Sequence, residues 1–205
     1  MSLQVGHIYY ARKFLAQANQ PWDEAAFVVG TVFPDIRYLA KLEREVTHFD
    51  TVELKEVLTE SDAFKAGFIF HSYLDILRDA YFQQQLGVKF GQEPAAVISK
   101  LIEDQWLHSG IHDWPKVIGY FDVAYPNETQ ITSVEFVRQW HNLWQRYFRS
   151  GPSTKSWDEV AKGIGYPADL LAAAIQCYPK VAQDPNVNDT IKDFETYFEE
   201  KLNGQ

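Results

Sequence analysis

The segment Gly67-Phe68-Ile69-Phe70-His71-Ser72-Tyr73-Leu74-Asp75-Ile76-Leu77-Arg78-Asp79 sets one imidazole and two carboxylates at i, i+4 and i+8. A helix turns about 100° per residue, so His71, Asp75 and Asp79 share one face. Phe68, Phe70, Leu74 and Leu77 flank that face, which makes the helix apolar almost all round and predicts that it is buried. Buried imidazoles and carboxylates need partners inside the protein, and metal ions satisfy both together. Taken one at a time, His71 reads as a core histidine, and Asp75 and Asp79 as partners of Arg78 or a lysine. Taken together, the three point to a metal site. Gly67, one turn before His71, lets another backbone come close.

Three further residues carry weaker signals. His7 faces the same way as Ala11 and Leu15 on a first helix. Asp35 follows Pro34 between apolar segments, where a fixed backbone can aim a carboxylate into a cleft; a turn or capping aspartate has the same signature. His48, in Thr47-His48-Phe49-Asp50, reads equally as a surface histidine.

Their order changes the odds. His7, Pro34-Asp35, Thr47-His48 and Gly67…His71-xxx-Asp75 together resemble the bacterial zinc-dependent phospholipase C family over roughly the first 80 residues. That family shares an all-helical fold with fungal zinc-dependent single-strand nucleases and hydrolyses phosphodiester bonds at a metal cluster. The resemblance implies that Asp35, His48, His71 and Asp75 bind one ion, with Asp75 bridging to a second held by His7. The family's next histidine is absent here, where Asp79 stands nearby. His108 and His112, at i, i+4 around Gly110, are the candidates for its later ligand pair. The family's N-terminal tryptophan also has no counterpart at the start of this sequence.

On this reading the reaction is metal-assisted hydrolysis of a phosphodiester or phosphomonoester, the substrate a small phosphate ester or a lipid head group. Mixed nitrogen and oxygen ligands suit zinc, with manganese or iron as options among so many carboxylates. Asp35 and Asp79 are the candidate catalytic carboxylates, and Asp79 or Asp50 could serve as base or as orienter of a histidine. Tyr73, Arg78 and Lys41 are candidate substrate contacts. A non-catalytic metal-binding module is the alternative from a different class, favoured by the missing histidine. A second alternative is an HD-type phosphohydrolase built on His112-Asp113, with His71 and Asp169 as its other members.

The formal net charge of −9 argues against holding a nucleic-acid duplex or an anionic lipid surface through a basic face, and leaves a small anionic substrate open. With Cys177 the only cysteine, no intrachain disulfide forms. The start, Met1 to Tyr10, lacks the pattern of a signal peptide, and no apolar run reaches membrane-spanning length. A cytoplasmic protein without an integral membrane segment is expected.

The elements that must position these residues read as helical nearly throughout, which predicts an all-α, single-domain bundle over 1–205. A first helix carries His7 and ends before Pro21. Asp23 caps a second that Gly30 ends, and Thr31 to Asp35 reads as a loop before the proline. Helical pattern returns over Tyr38–Glu45 and after Thr51. The strongest helix runs from Ser61 or Asp62 to Leu86, stopped by Gly87. Others run from Pro94 through Trp106, from Thr132 or Ser133 through Phe148, and over Pro167–Tyr178 and Asp189–Leu202. Ser109–Thr129 reads as turn-rich, and Ser150-Gly151-Pro152-Ser153 as a linker. The stripe Phe136-Trp140-Trp144-Phe148 reads as core that could also floor a pocket.

Overall fold

The computed structural model describes residues 3–87 and 94–204, and among them every regular element is helical. The elements are α1 (Gln4–Ala18), α2 (Glu24–Val32), a 3-10 turn (Phe33–Ile36), α3 (Arg37–Ala40), α4 (Arg44–Thr47), α5 (Leu54–Thr59) and α6 (Ala63–Leu86). They continue with α7 (Pro94–His108), α8 (Trp114–Gly119), α9 (Pro126–Ile131), α10 (Val134–Ser150), α11 (Thr154–Gly163), α12 (Ala168–Val181) and α13 (Pro185–Asn203).

The central helix, α6, begins where Asp62 accepts from the Lys65 amide and ends at Gly87, whose φ of 65° is the left-handed cap expected of glycine. Its apolar circumference is buried as the sequence predicts, with Phe64, Phe70, Leu74 and Phe82 in the core. It packs chiefly on α2. The contact is backbone to backbone at two glycines. A Cβ on Gly67 would lie 2.0 Å from the Phe27 carbonyl oxygen, and one on Gly30 would lie 2.1 Å from that of Phe64.

This explains why Gly30 does not end α2, contrary to the sequence expectation. It spends its missing side chain on helix approach, and α2 runs on to Val32. The expected Thr31–Asp35 loop is likewise the last turn of α2 followed by the 3-10 turn. Pro34 stands in the first turn of that element, where no amide donor is required of it. The result is that the Thr31 carbonyl and the Asp35 carboxylate both lie beside α6.

The Tyr38–Glu45 stretch is two short helices, broken where Lys41 takes a left-handed φ of 56°. The turn-rich 109–129 segment contains α8 and α9, each with a proline in its first turn. Ser150 to Ser153 is a short connection. Ser153 caps α11, a helix the periodicity does not reveal, and Trp157, Val160 and Ala161 join the same apolar cluster as α1, α2 and α6.

Leu3 at the start of α1 provides no side-chain cap. Asp104 of α7 takes that role from a distance, accepting from the amides of Gly6 at 2.9 Å and Val5 at 3.3 Å and from the Tyr147 hydroxyl at 3.1 Å. Carboxyl oxygens against the first free amides of a helix satisfy donors that have no partner within it. Burial pushes this carboxyl up to about 8, while those three donors pull the other way. Asp104 thereby fixes the helix turn that carries His7 to both α7 and α10.

Gly67→Ala is expected to force α2 and α6 apart and to lower stability by about 1–3 kcal/mol, despite alanine's better helix propensity. A urea midpoint equal to that of the parent protein would contradict the close backbone approach.

Candidate metal centre

Five of the sequence-predicted residues converge. His7 comes from α1, Asp35 from the 3-10 turn, His48 from the residue after α4, and His71 and Asp75 from one face of α6. All five are buried. The Nε2 atoms of His48 and His71 are 3.1 Å apart, and His71 Nε2 lies 3.5 Å from Asp75 Oδ2. His48 Nε2 is 3.7 Å from Asp35 Oδ1 and 4.0 Å from Asp75 Oδ2, and His71 Nε2 is 4.0 Å from Asp35 Oδ1. On the other side of Asp75, Oδ1 lies 3.3 Å from His7 Nε2. The His7 and His71 rings stack with centroids 4.2 Å apart.

These separations have a chemical meaning. Zinc bonds of about 2.0–2.1 Å in a tetrahedron place donor atoms about 3.3–3.4 Å from one another. The quartet Asp35, His48, His71 and Asp75 comes close to that size before any ion draws it in. His7, His71 and Asp75 form a second group that could hold an ion, joined to the first through the two oxygens of Asp75.

The far nitrogens decide the protonation. His7 Nδ1 lies 3.2 Å from the Leu3 carbonyl oxygen and His71 Nδ1 lies 2.8 Å from that of Thr31. A carbonyl only accepts, so both Nδ1 atoms carry the proton and both rings, when neutral, turn a bare Nε2 inward. The His48 ring is held by the Thr47 hydroxyl, 2.8 Å from its Nδ1, and Asp35 by the Gln4 amide, which donates to Oδ2 at 2.8 Å. Outer contacts of this kind orient the ligands of metal sites. The consequence at His7 is sharp, since a buried lone pair faces a carboxylate oxygen. Two electron-rich atoms at 3.3 Å call for a cation between them.

Burial holds His7 and His48 below the ordinary imidazole value, so both are neutral and ready to ligate at neutral pH. Burial also opposes charge on His71, but Asp75, Asp35 and the Thr31 carbonyl outweigh it and raise its pKa. Burial opposes charge on both carboxylates, yet His48 foremost and then His71 hold Asp35 below the usual carboxylate range, and Asp75 is held well below it too, with His71 and His7 among the groups that lower it. Of the three rings, His71 is the one whose protonated form the neighbouring carboxylates favour.

Asp35 and Asp75 open onto a cavity of about 630 Å³. Asp79, one turn beyond Asp75, also lines it, beside Arg78 at 3.5 Å, but stands outside both ligand groups. The remaining predicted residues lie elsewhere. His108 stacks on Trp114 with centroids 4.5 Å apart and has its Nε2 at the Phe148 carbonyl, 3.2 Å away. His112 is exposed, because α7 ends at His108 and the chain turns through Gly110, so the i, i+4 pair never shares a helix face. Asp113 forms a two-pronged pair with Arg12 and Asp169 is exposed, so the HD arrangement with His71 is not assembled.

Asp50 is exposed with Arg44 at 4.0 Å, and the orienters are instead Leu3, Thr31 and Thr47. Lys41 lines the cavity. Arg78 and Tyr73 do not, since Arg78 turns to Glu103 at 2.6 Å and sits over the Phe82 ring, and Tyr73 packs in the core. Residues the sequence did not single out include Gln4, Arg37, Lys100 and Trp157, whereas Trp140 and Trp144 of the aromatic stripe do line the cavity.

No family model, characterised relative or solved structure matches this chain. Among the described residues no helix is long and apolar enough to cross a membrane.

Metal ions bind unprotonated imidazoles and displace the proton that the carboxylates favour on His71, so zinc binding should release protons, the more so as pH falls. Affinity should fall as pH drops and His7 and His48 protonate too. Calorimetry in buffers of different ionisation enthalpy reads the release directly; a buffer-independent heat would contradict the assignment. In the same assay His108→Ala and His112→Ala should bind zinc like the parent chain.

Proposed function

We propose that this chain is a metal-dependent hydrolase of phosphate esters, with zinc its most suitable ion and the zinc-dependent phospholipase C family its nearest model. The observation that supports this best is the bare His7 Nε2 facing Asp75 Oδ1 beside the quartet around His71, at the floor of a cavity. Two adjacent ion positions sharing one carboxylate suit a reaction in which both the attacking and the leaving oxygen need charge neutralised.

Asp35, His48, His71 and Asp75 would hold one ion, and His7 with Asp75 the second. Ions held there supply Lewis acidity and bring the pKa of water towards neutrality. The chain's own groups divide the rest of the work. Asp79 lies on the cavity wall one turn from Asp75 and would accept the proton that the attacking water gives up. Arg37, Lys41 and Lys100 line the same cavity and offset charge on the phosphoryl oxygens. Trp140, Trp144 and Trp157 give one side of it an apolar lining, which lowers the local dielectric and strengthens each of those interactions.

One observation favours a non-catalytic metal-binding role instead. The two ligand groups share His71, and Asp75 lies within 4.0 Å of His48 as well as beside His7, so a single ion could occupy the centre.

Bis-p-nitrophenyl phosphate tests the two readings. Hydrolysis that depends on added zinc or manganese, and that falls more than about 100-fold in Asp75→Asn, is the expected result. Asp79→Asn should keep its metal and lose roughly 100-fold in kcat. Stoichiometric metal with no turnover on this or any phosphomonoester would favour the binding role.

A further inference from the structure

The cavity over the metal centre is lined by four cationic side chains, Arg37, Lys41, Arg44 and Lys100, against three carboxylates, Asp35, Asp75 and Asp79. That excess stands in a chain whose formal net charge is −9. The carboxylates have partners of their own. Asp35 and Asp75 belong to the metal centre, and Asp79 lies 3.5 Å from Arg78, which is outside the lining. Of the cations, Arg44 has the exposed Asp50 at 4.0 Å.

The other three are set differently. The Arg37 guanidinium lies over the Tyr38 ring, 4.1 Å from its centroid, and donates to the Tyr38 hydroxyl at 2.7 Å. These contacts orient the guanidinium without cancelling its charge. Among the described residues neither Arg37 nor Lys41 has a carboxylate within ion-pair distance. Lys41 closes α3 with a left-handed φ of 56°, a position where glycine is the usual residue and a side chain is strained. Its ammonium lies against Gly165, where a Cβ would come within 3.1 Å of Nζ. A strained lysine facing a glycine that clears space for it is a charge the fold holds in place. Lys100 of α7 is 8% exposed, so its charge acts through a medium of low dielectric.

The metal centre adds to this bias. Two carboxylates and neutral imidazoles around two divalent ions would leave two positive charges in excess. A phosphomonoester brings about two negative charges at neutral pH, whereas a diester brings one. We infer that the cavity selects the dianionic phosphoryl group of a phosphomonoester over the monoanion of a diester, through Arg37, Lys41 and Lys100. The inference rests on the phosphate-ester reading of the metal centre and narrows its substrate class.

The test is calorimetric binding of phenylphosphonate and of its monomethyl ester to the metal-loaded protein at mildly alkaline pH. There the first is a dianion and the second a monoanion with the same ring. The parent should bind the dianion at least about tenfold more tightly, the scale of one hydrogen bond to a charged group. Arg37→Met, Lys41→Met and Lys100→Met should each shrink that ratio by about threefold or more, because a lost cation costs a dianion more than a monoanion. Lys41 is exposed, so its variant reads the charge without disturbing the core. A ratio of one or less, no binding of either phosphonate, or a ratio unchanged in all three variants overturns the selection. Metal-dependent hydrolysis of p-nitrophenyl phosphate or its bis ester then leaves the hydrolase reading standing, and the absence of both overturns that reading too.

Discussion

The structure turns on a buried convergence of imidazole nitrogens and carboxylate oxygens. Three imidazole nitrogens and the oxygens of two carboxylates point at one another across 3.1 to 4.0 Å, shielded from water. Carboxylates and bare nitrogens brought this close repel, and burial removes the solvent that would screen them. Protonation of His71, which the carboxylates favour, would relieve part of that repulsion, and ions at the two ligand groups would relieve the rest. The fold keeps these atoms together by fixing the outward side of each ring: Leu3 and Thr31 through backbone carbonyls, Thr47 through its hydroxyl, Gln4 through its amide.

Those outer contacts in turn require particular packing. The Thr31 carbonyl reaches His71 because α2 and α6 touch backbone to backbone at Gly30 and Gly67. Asp35 enters the centre because α2 tightens into a 3-10 turn at Pro34 instead of uncoiling. His7 stands in register because Asp104, nearly one hundred residues away, caps the start of α1. Each ligand is thus secured by a constraint outside the centre, the condition under which buried polar groups specify one arrangement.

The readable part of this was local. His71 and Asp75 were legible because a helix period puts them on one face of an apolar segment, and the caps at Asp23, Asp62 and Gly87 followed from side-chain chemistry. Asp35, His48 and His7 were each ambiguous alone and became candidates only through their order. The failures share a physical cause. Gly30 read as a helix stop because glycine's close-approach role depends on a partner helix that no local window contains. His108 and His112 read as a pair because spacing alone does not show that the helix ends between them. Backbone carbonyls carry no sequence signature, so the groups that set the tautomers were invisible. The cavity's far wall is assembled from α10 to α12 against the first half of the chain, and only the aromatic stripe of α10 hinted at it.

The central claim is that these atoms converge to hold ions, and elemental analysis tests it most directly. The protein should be purified from metal-replete medium without a metal-affinity step, beside His7→Ala and the His71→Ala/Asp75→Ala double variant. The account predicts two equivalents of divalent metal in the parent chain, one in His7→Ala and none in the double variant. A parent chain without metal, or a double variant that retains it, would contradict the account and leave His71 and Asp75 as polar residues of the core.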